Sequence, residues 1–378
     1  MLKGFTVRIF PTKSQEKLLF RNIHASRFVY NYMLELQNTR HELGQKHLTE
    51  FDMKSMLIPL VNTEEHSWLK DVGMSVLRAS CKDLANNFRK FFNKTAGKPK
   101  FKSRKRSKAS FGTRGSRTYF SNGFVQIERI GKIKYKTDFI LPEKNEKKIV
   151  NPRIKYVLGK WILSFCLECE KQALELNDFS VGIDLGIKEL AVVAYGDNKL
   201  VFHNINKSHR IRTLERDLKR LQRKLLRKYE MNKKGCIYTK TNNIRRCEIK
   251  LQKLYARLTN IRQDYAHKTT KTIIDLRPKR VVMENLNIRG LSKNKHLSKS
   301  ISDQRWYEFT RQIMYKCEWN GIEFVQVDRF YPSSRICSNC GNKKHDLKLS
   351  DRIYKCDCCG FEIDRDYNAA KNLMRYGI

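Results

Sequence analysis

The stretch Val181-Gly182-Ile183-Asp184-Leu185-Gly186 puts one carboxylate on an otherwise apolar strand that runs straight into glycine. An acid so placed is costly unless something cationic meets it. Two later segments carry matching acids. Glu284 ends the apolar run Val281-Val282-Met283, and Asp364 and Asp366 both lie in Asp364-Arg365-Asp366-Tyr367-Asn368-Ala369-Ala370, which opens the last helix. Each acid alone has an ordinary reading as a turn, a surface residue or a helix N-cap. Together, acids from three distant segments predict one divalent-metal site. Hard oxygen ligands suit Mg²⁺ or Mn²⁺, and a pair of such ions about 3.5–4 Å apart clamps both the attacking and the leaving oxygen of a phosphodiester.

A second constellation is built of thiols: Cys337-Ser338-Asn339-Cys340-Gly341 and, after a short polar stretch, Cys356-Asp357-Cys358-Cys359-Gly360. Two such knuckles form the zinc-ribbon pattern, each giving two thiolates to a tetrahedral Zn²⁺ while glycine permits the tight turn. Cys358 competes as a ligand, but the two-residue spacing inside each knuckle favours Cys337, Cys340, Cys356 and Cys359. The ribbon precedes Asp366 closely, so it either guides a nucleic-acid strand or only stabilises its surroundings. The remaining cysteines of the 11 are scattered, which fits a reduced compartment rather than a disulfide framework.

The partner class follows from charge. Lys and Arg number 78 against 38 Asp and Glu, a formal +40 that favours a polyanion held through phosphate contacts and counterion release. The densest basic run covers Lys98, Lys100, Phe101, Lys102, Arg104, Lys105 and Arg106. It reads as a phosphate-gripping edge with Phe101 free to stack on a base or to plug the core, against the plainer reading of a solvated loop. No apolar stretch reaches the ~18 residues that span a bilayer, and the start Met1-Leu2-Lys3-Gly4-Phe5-Thr6 lacks a signal-peptide core. An intracellular protein of two or three domains is expected.

The elements that must position these groups are legible as periodicities. Phe5, Val7 and Ile9 alternate as in a half-buried strand that Pro11 stops. A helix then runs through Leu18, Leu19, Ile23, Phe28, Tyr32 and Leu36, with a break expected near Ala25-Ser26, and further helices are expected over 54–60 and 75–93. Short alternating segments from Tyr119 to Phe165, separated by Gly, Asn and Pro, predict an antiparallel sheet or barrel. From Phe179 onward, strands are expected at 180–184, 189–194, 200–205, 280–285 and 322–328. Between them fall two long basic helices, striped by Ile211 to Leu225 and by Ile244 to Tyr265 and joined around Gly235, and a helix over 303–319.

The Asp184 strand, the Glu284 strand and the Asp366-Tyr367-Asn368-Ala369-Ala370 helix, in this order, resemble the split nuclease motifs of a RuvC domain. They look like those of the TnpB family of transposon-encoded RNA-guided DNA endonucleases, related to type V CRISPR effectors. The resemblance implies an α/β multidomain protein. Its parts would be a wedge β-barrel (1–10 and 98–178), a helical recognition lobe (11–97), an RNase H-like nuclease domain (179–334 and 361–378), and a zinc-ribbon target-nucleic-acid-binding insert (335–360). It further implies that Asp184, Glu284 and Asp366 are the catalytic magnesium ligands, the match at Asp366 deciding against Asp364. Arg335, in Tyr331-Pro332-Ser333-Ser334-Arg335, would meet a phosphate, and residues 232–243 lie where relatives carry a mobile lid. With the sequence ending at Ile378, the basic disordered tail of many relatives is expected to be absent or very short. The implied partners are a guide RNA from the mobile element and double-stranded target DNA with a short adjacent motif, in a prokaryotic cytoplasm and at the nucleoid when bound to DNA. A transposase and a non-catalytic DNA-binding regulator of transposition are the alternatives.

Overall fold

The computed structural model describes residues 1–143, 146–170, 174–235, 237–348 and 350–377. Parts of the expected wedge, lid loop and ribbon therefore lie outside the described residues, at Lys144, Asn145, 171–173, Cys236 and Leu349, as does the terminal Ile378. Two compact units make up the chain, Met1–Glu170 and Lys171–Ile378.

In the first unit, strand β1 (Leu2–Phe10) buries Val7 and Ile9 and turns Thr6 and Arg8 outward. Thr12 then starts helix α1 (Lys13–Glu42) with a capping box, its hydroxyl accepting from the Gln15 N–H while the Gln15 side chain accepts from the Thr12 N–H. The expected break at Ala25-Ser26 does not occur. Both residues are buried, and Ser26 Oγ accepts from Ser80 Oγ at 2.8 Å on α4 (Met74–Phe92), so small residues here serve a close helix crossing. The single helix expected over 54–60 is two, α2 (Glu50–Ser55) and α3 (Leu57–Asn62).

The sheet of this unit contains β1 and six further strands: β2 (Ser110–Gly112), β3 (Thr118–Ser121), β4 (Phe124–Ile127), β5 (Gly131–Lys136), β6 (Ile149–Val157) and β7 (Lys160–Glu168). They run in the order β2-β6-β7-β1-β5-β4-β3, antiparallel throughout. Asn122 and Gly123 both take positive φ, 46° and 77°, and make the tight β3–β4 turn that matches the twist of the strands. Helices and sheet share one apolar core that includes Leu34, Leu77, Phe111, Phe120 and Phe165.

The second unit opens with an antiparallel meander, β8 (Asn177–Leu185), β9 (Glu189–Tyr195) and β10 (Asn198–His203). Helices α5 (His209–Met231) and α6 (Asn242–Asp275) follow as a hairpin that buries Ile211 and Leu214 with Leu258. Their connection carries a two-stranded ribbon, β11 (Lys233–Lys234) and β12 (Ile237–Tyr238). Strand β13 (Pro278–Met283) pairs parallel to β8 and, on its other edge, parallel to β14 (Glu323–Gln326), giving the order β10-β9-β8-β13-β14. Between β13 and β14 lie α7 (Ile288–Leu291), α8 (Ser298–Gln304) and α9 (Trp306–Asn320). The helix expected from 303 starts instead at Trp306, because Arg305 takes the left-handed conformation at φ 55° and divides α8 from α9. A hairpin of β15 (Ile353–Lys355) and β16 (Glu362–Asp364) then leads into α10 (Arg365–Met374). Among the described residues no helix is long and apolar enough to cross a membrane.

Candidate active site

Central placement explains why Asp184 stands out. Ser180 to Ile183 and Leu185 of β8 are all buried between flanking strands, so the carboxylate at the strand's end leaves an interior for a partly exposed position. Glu284 directly follows β13, the parallel neighbour of β8, so the two acids emerge at the same end of adjacent strands. Asp366 comes from the first turn of α10. Burial pushes the Asp184 carboxyl well above its ordinary value, and the charges of Glu284 and Asp366 push it further, with Arg365 opposing them. Glu284 is raised too, by burial first, with Asp366 adding to it and a hydrogen bond from Ser333 Oγ opposing. Three distant segments are thus brought within electrostatic reach of one another. Raised carboxyls beside further acids are what a nearby cation would stabilise in the charged form, and carboxylate oxygens are the donors that a hard divalent ion takes.

The neighbouring acids divide their work. Asp364 Oδ1 accepts the Tyr367 N–H at 3.0 Å and so caps α10, with Lys199 Nζ at 3.7 Å. Asp366 pairs with the Arg365 guanidinium at 3.3 Å, and of the two acids it raises the Asp184 carboxyl more, Asp364 adding less.

What seats α10 could not be read from periodicity. A Cβ added to Gly182 would lie 2.0 Å from the Ala370 carbonyl oxygen and 2.3 Å from the Met374 nitrogen, so the helix backbone rests directly on β8 where only glycine fits. On another side of α10, the buried Asn368 accepts the Ser338 N–H through Oδ1 (2.9 Å) and donates to the Ile336 carbonyl (2.7 Å). One turn on, Asn372 donates to the carbonyls of Ser333 (2.7 Å) and Ile336 (2.6 Å), and Arg375 donates to that of Ser338. The 333–338 segment therefore has its backbone tied to the helix bearing Asp366 and its Ser333 hydroxyl on Glu284. The one visible clue was two asparagines four residues apart on an otherwise apolar helix face.

The thiols converge as their spacing requires. The Sγ atoms of Cys337, Cys340, Cys356 and Cys359 all lie within 4.8 Å of one another, with Cys337 to Cys359 at 3.8 Å and Cys340 to Cys356 at 3.5 Å. Four sulfurs placed about 2.3 Å from a tetrahedral zinc would stand about 3.8 Å apart, so the cluster fits that ion closely. Each knuckle closes on a glycine of positive φ, Gly341 at 77° and Gly360 at 69°, whose N–H returns to the Cys337 or Cys356 carbonyl. The backbone N–H of Cys359 points at Cys356 Sγ and is the main influence drawing that thiol down to about 6. Cys358 is exposed and stays outside the cluster.

The basic run is mostly presented to solvent: Lys98, Lys100, Phe101, Arg104, Lys105 and Arg106 are exposed, and so, in the second unit, is Arg335. Lys102 is different. Its Nζ lies 3.6 Å from the centre of the Tyr30 ring, and burial draws its ammonium below the usual value, so it anchors the run to α1 and leaves phosphate contact to its neighbours.

Comparisons with known proteins agree along the whole chain. Family profiles match residues 1–46 ("Helix-turn-helix domain"), 164–295 ("Probable transposase", OrfB_IS605) and 306–373 ("Cas12f1-like, TNB domain"). The first of these segments is here a strand followed by one uninterrupted helix. The "Putative RNA-guided DNA endonuclease InsQ" of Escherichia coli (strain K12) is 31% identical over 396 residues, spanning 100% of this chain and 92% of that protein. A "Putative RNA-guided DNA endonuclease" of Streptomyces pristinaespiralis is 32% identical, spanning 100% of this chain and 89% of its own length. In fold, the chain is similar over its full length (TM-score 0.62, 14% identity, 99% of the other chain covered) to the protein in "Cryo-EM structure of the Cas12f1-sgRNA-target DNA complex". With full-length relatives at this identity, and with three family profiles met in order, the chain belongs to the TnpB (OrfB) family.

Proposed function

We propose that this protein is a guide-RNA-directed DNA endonuclease of a mobile element, cutting target DNA at a site formed by Asp184, Glu284 and Asp366. The observation that carries the reading is the convergence of the acids: Asp184 and Glu284 stand at the same end of adjacent parallel strands, and the charge of Asp366 reaches both, raising their carboxyls. The strand order β10-β9-β8-β13-β14, with its first three strands an antiparallel meander and the rest parallel, supports an RNase H-like (RuvC) nuclease domain around it. The seven-stranded sheet with its N-terminal strand supports a wedge, and α1 to α4 a recognition lobe.

Mg²⁺ or Mn²⁺ held by these carboxylates would supply the positive charge that activates water and stabilises the departing 3′ oxygen. The chain's own residues prepare the site. Asp184 and Glu284 are offered from adjacent parallel strand ends, and Ser333 fixes the carboxylate of Glu284 by donating to it. Arg365 restrains Asp366 and places a guanidinium beside the acids. Structural zinc in the four-thiolate cluster would hold the ribbon's fold, and Asn368 and Asn372 tie the approach to that ribbon to the helix of Asp366. The guide RNA and a target duplex with its short adjacent motif are the partners proposed for the exposed basic surfaces, including Lys98, Lys100, Arg104, Lys105, Arg106 and Arg335.

The test is cleavage of supercoiled plasmid by the full chain purified with its co-expressed RNA. Cutting is expected to stop with EDTA, to return with Mg²⁺ or Mn²⁺, and to be absent from Asp184→Ala. A transposase reading, suggested by the description of one matched profile, instead requires joined DNA products formed without RNA.

A further inference from the structure

A concavity of about 580 Å³ on the first unit is shaped by the face of α1, the short turn Ser67–Asp71 and the start of the basic run, and the nuclease chemistry leaves it unused. Its wall is aromatic. The Phe28 ring lies 5.5 Å from Trp68, 5.0 Å from His66 and 6.0 Å from Tyr32, while Trp68 is 37% and Phe101 53% exposed. Large aromatic rings so exposed forgo burial and mark a surface awaiting a flat apolar partner.

The rim is preorganised and charged. Asn31 clamps the backbone of Lys102, donating to its carbonyl at 2.9 Å and accepting its N–H at 2.8 Å, and this fixes the adjacent Phe101 beside α1. The same clamp that takes Lys102 out of the exposed set thus presents Phe101 to the opening. Arg27 lines the concavity, and both Arg27 and Arg104 act electrostatically on His24 at its edge. Glu35, two helical turns beyond Phe28, contributes a carboxylate to the lining. Stacking surface, guanidinium and a hydrogen-bond acceptor are the three things that hold a splayed-out nucleotide by its base face, its phosphate and its base edge.

We propose that this concavity holds one unpaired nucleotide of the guide RNA, its base stacked between Phe101 and the Phe28–Trp68 wall, its phosphate on Arg27 and Arg104, and an exocyclic amine donated to Glu35. The assignment to RNA rests on the function proposed above. Adenine, cytosine and guanine carry such an amine, whereas uracil offers only its ring N3–H, flanked by two carbonyl oxygens that a carboxylate repels, so the site disfavours uracil.

The test uses the full chain, freed of co-purified RNA, and fluorescein-labelled single-stranded A8, C8 and U8 oligoribonucleotides with their DNA counterparts as probes. Trp68→Ala and Phe101→Ala each weaken A8 binding by roughly 5- to 150-fold, the range of one lost stacking contact. Glu35→Ala brings A8 and U8 affinities together. Leu43→Ala, at a still more exposed apolar residue that does not line the concavity, leaves binding unchanged. Folded Trp68→Ala and Phe101→Ala chains that bind A8 like wild type overturn the proposal, and tighter binding of the DNA probes through the same residues overturns the assignment to RNA. Failure of the underlying function reads out separately, as plasmid cleavage by the wild-type chain that needs no RNA.

Discussion

At the scale of single residues, the division between Asp364 and Asp366 carries the sharpest consequence. Asp364 caps α10, and Asp366 acts on Asp184 more strongly than Asp364 does, which assigns the two acids separable roles. Asp366→Ala is expected to abolish cleavage while nucleic-acid binding survives, and Asp184→Ala and Glu284→Ala behave alike. Asp364→Ala loses an N-cap worth about 1 kcal/mol. Its thermal midpoint should fall slightly and its cleavage persist, and an inactive but folded Asp364→Ala would reverse the assignment. The placement of Asp184 and Glu284 at neighbouring strand ends was legible from sequence because an acid ending an apolar strand is conspicuous. Ser333, Asn368 and Asn372 were not, since what defines each is a partner 30 to 49 residues away. Lys102 shows the converse: its charge was obvious in the sequence, but its place over Tyr30 depends on the tertiary fold.

At the scale of elements, the seat of α10 on β8 holds the third carboxylate in place. Gly182→Ala puts a methyl group into the backbone of Ala370 and Met374, which cannot yield as a flexible side chain would. A cost of at least about 1–3 kcal/mol is expected, seen as a lowered thermal midpoint together with lost cleavage. A fully stable and active Gly182→Ala would show that the helix does not rest there. Strand alternation located the longer strands to within a few residues but missed short ones such as Ser110–Gly112, and the expected break in α1 misread Ala25 and Ser26. Small polar residues look like a helix interruption in sequence and serve close packing in the fold. The ribbon was the most legible element, because cysteine spacing encodes geometry directly. Cys356→Ser is expected to lose the zinc and expose the ribbon to protease, since metal binding supplies the folding energy of such small modules. Cys358→Ser keeps both, and elemental analysis with limited proteolysis distinguishes the two outcomes. Zinc-free native protein would exclude the site.

At the scale of the whole molecule, a charge of +40 explains affinity for nucleic acid and nothing about choice. Phosphate contacts fix register without reading bases, so selection of a target must come from base pairing or from a small number of base contacts. Membership in the TnpB family makes pairing with a resident RNA the source of that selection in the function proposed for this chain, and the protein then grips backbones and positions a single nuclease centre. The most direct measurement is cleavage of a randomised plasmid library by protein purified with an RNA whose guide segment has been rewritten. Guided cutting gives products only in plasmids complementary to the new segment and beside one short shared motif. Cuts that ignore the rewritten segment, or that proceed equally without RNA, would contradict it.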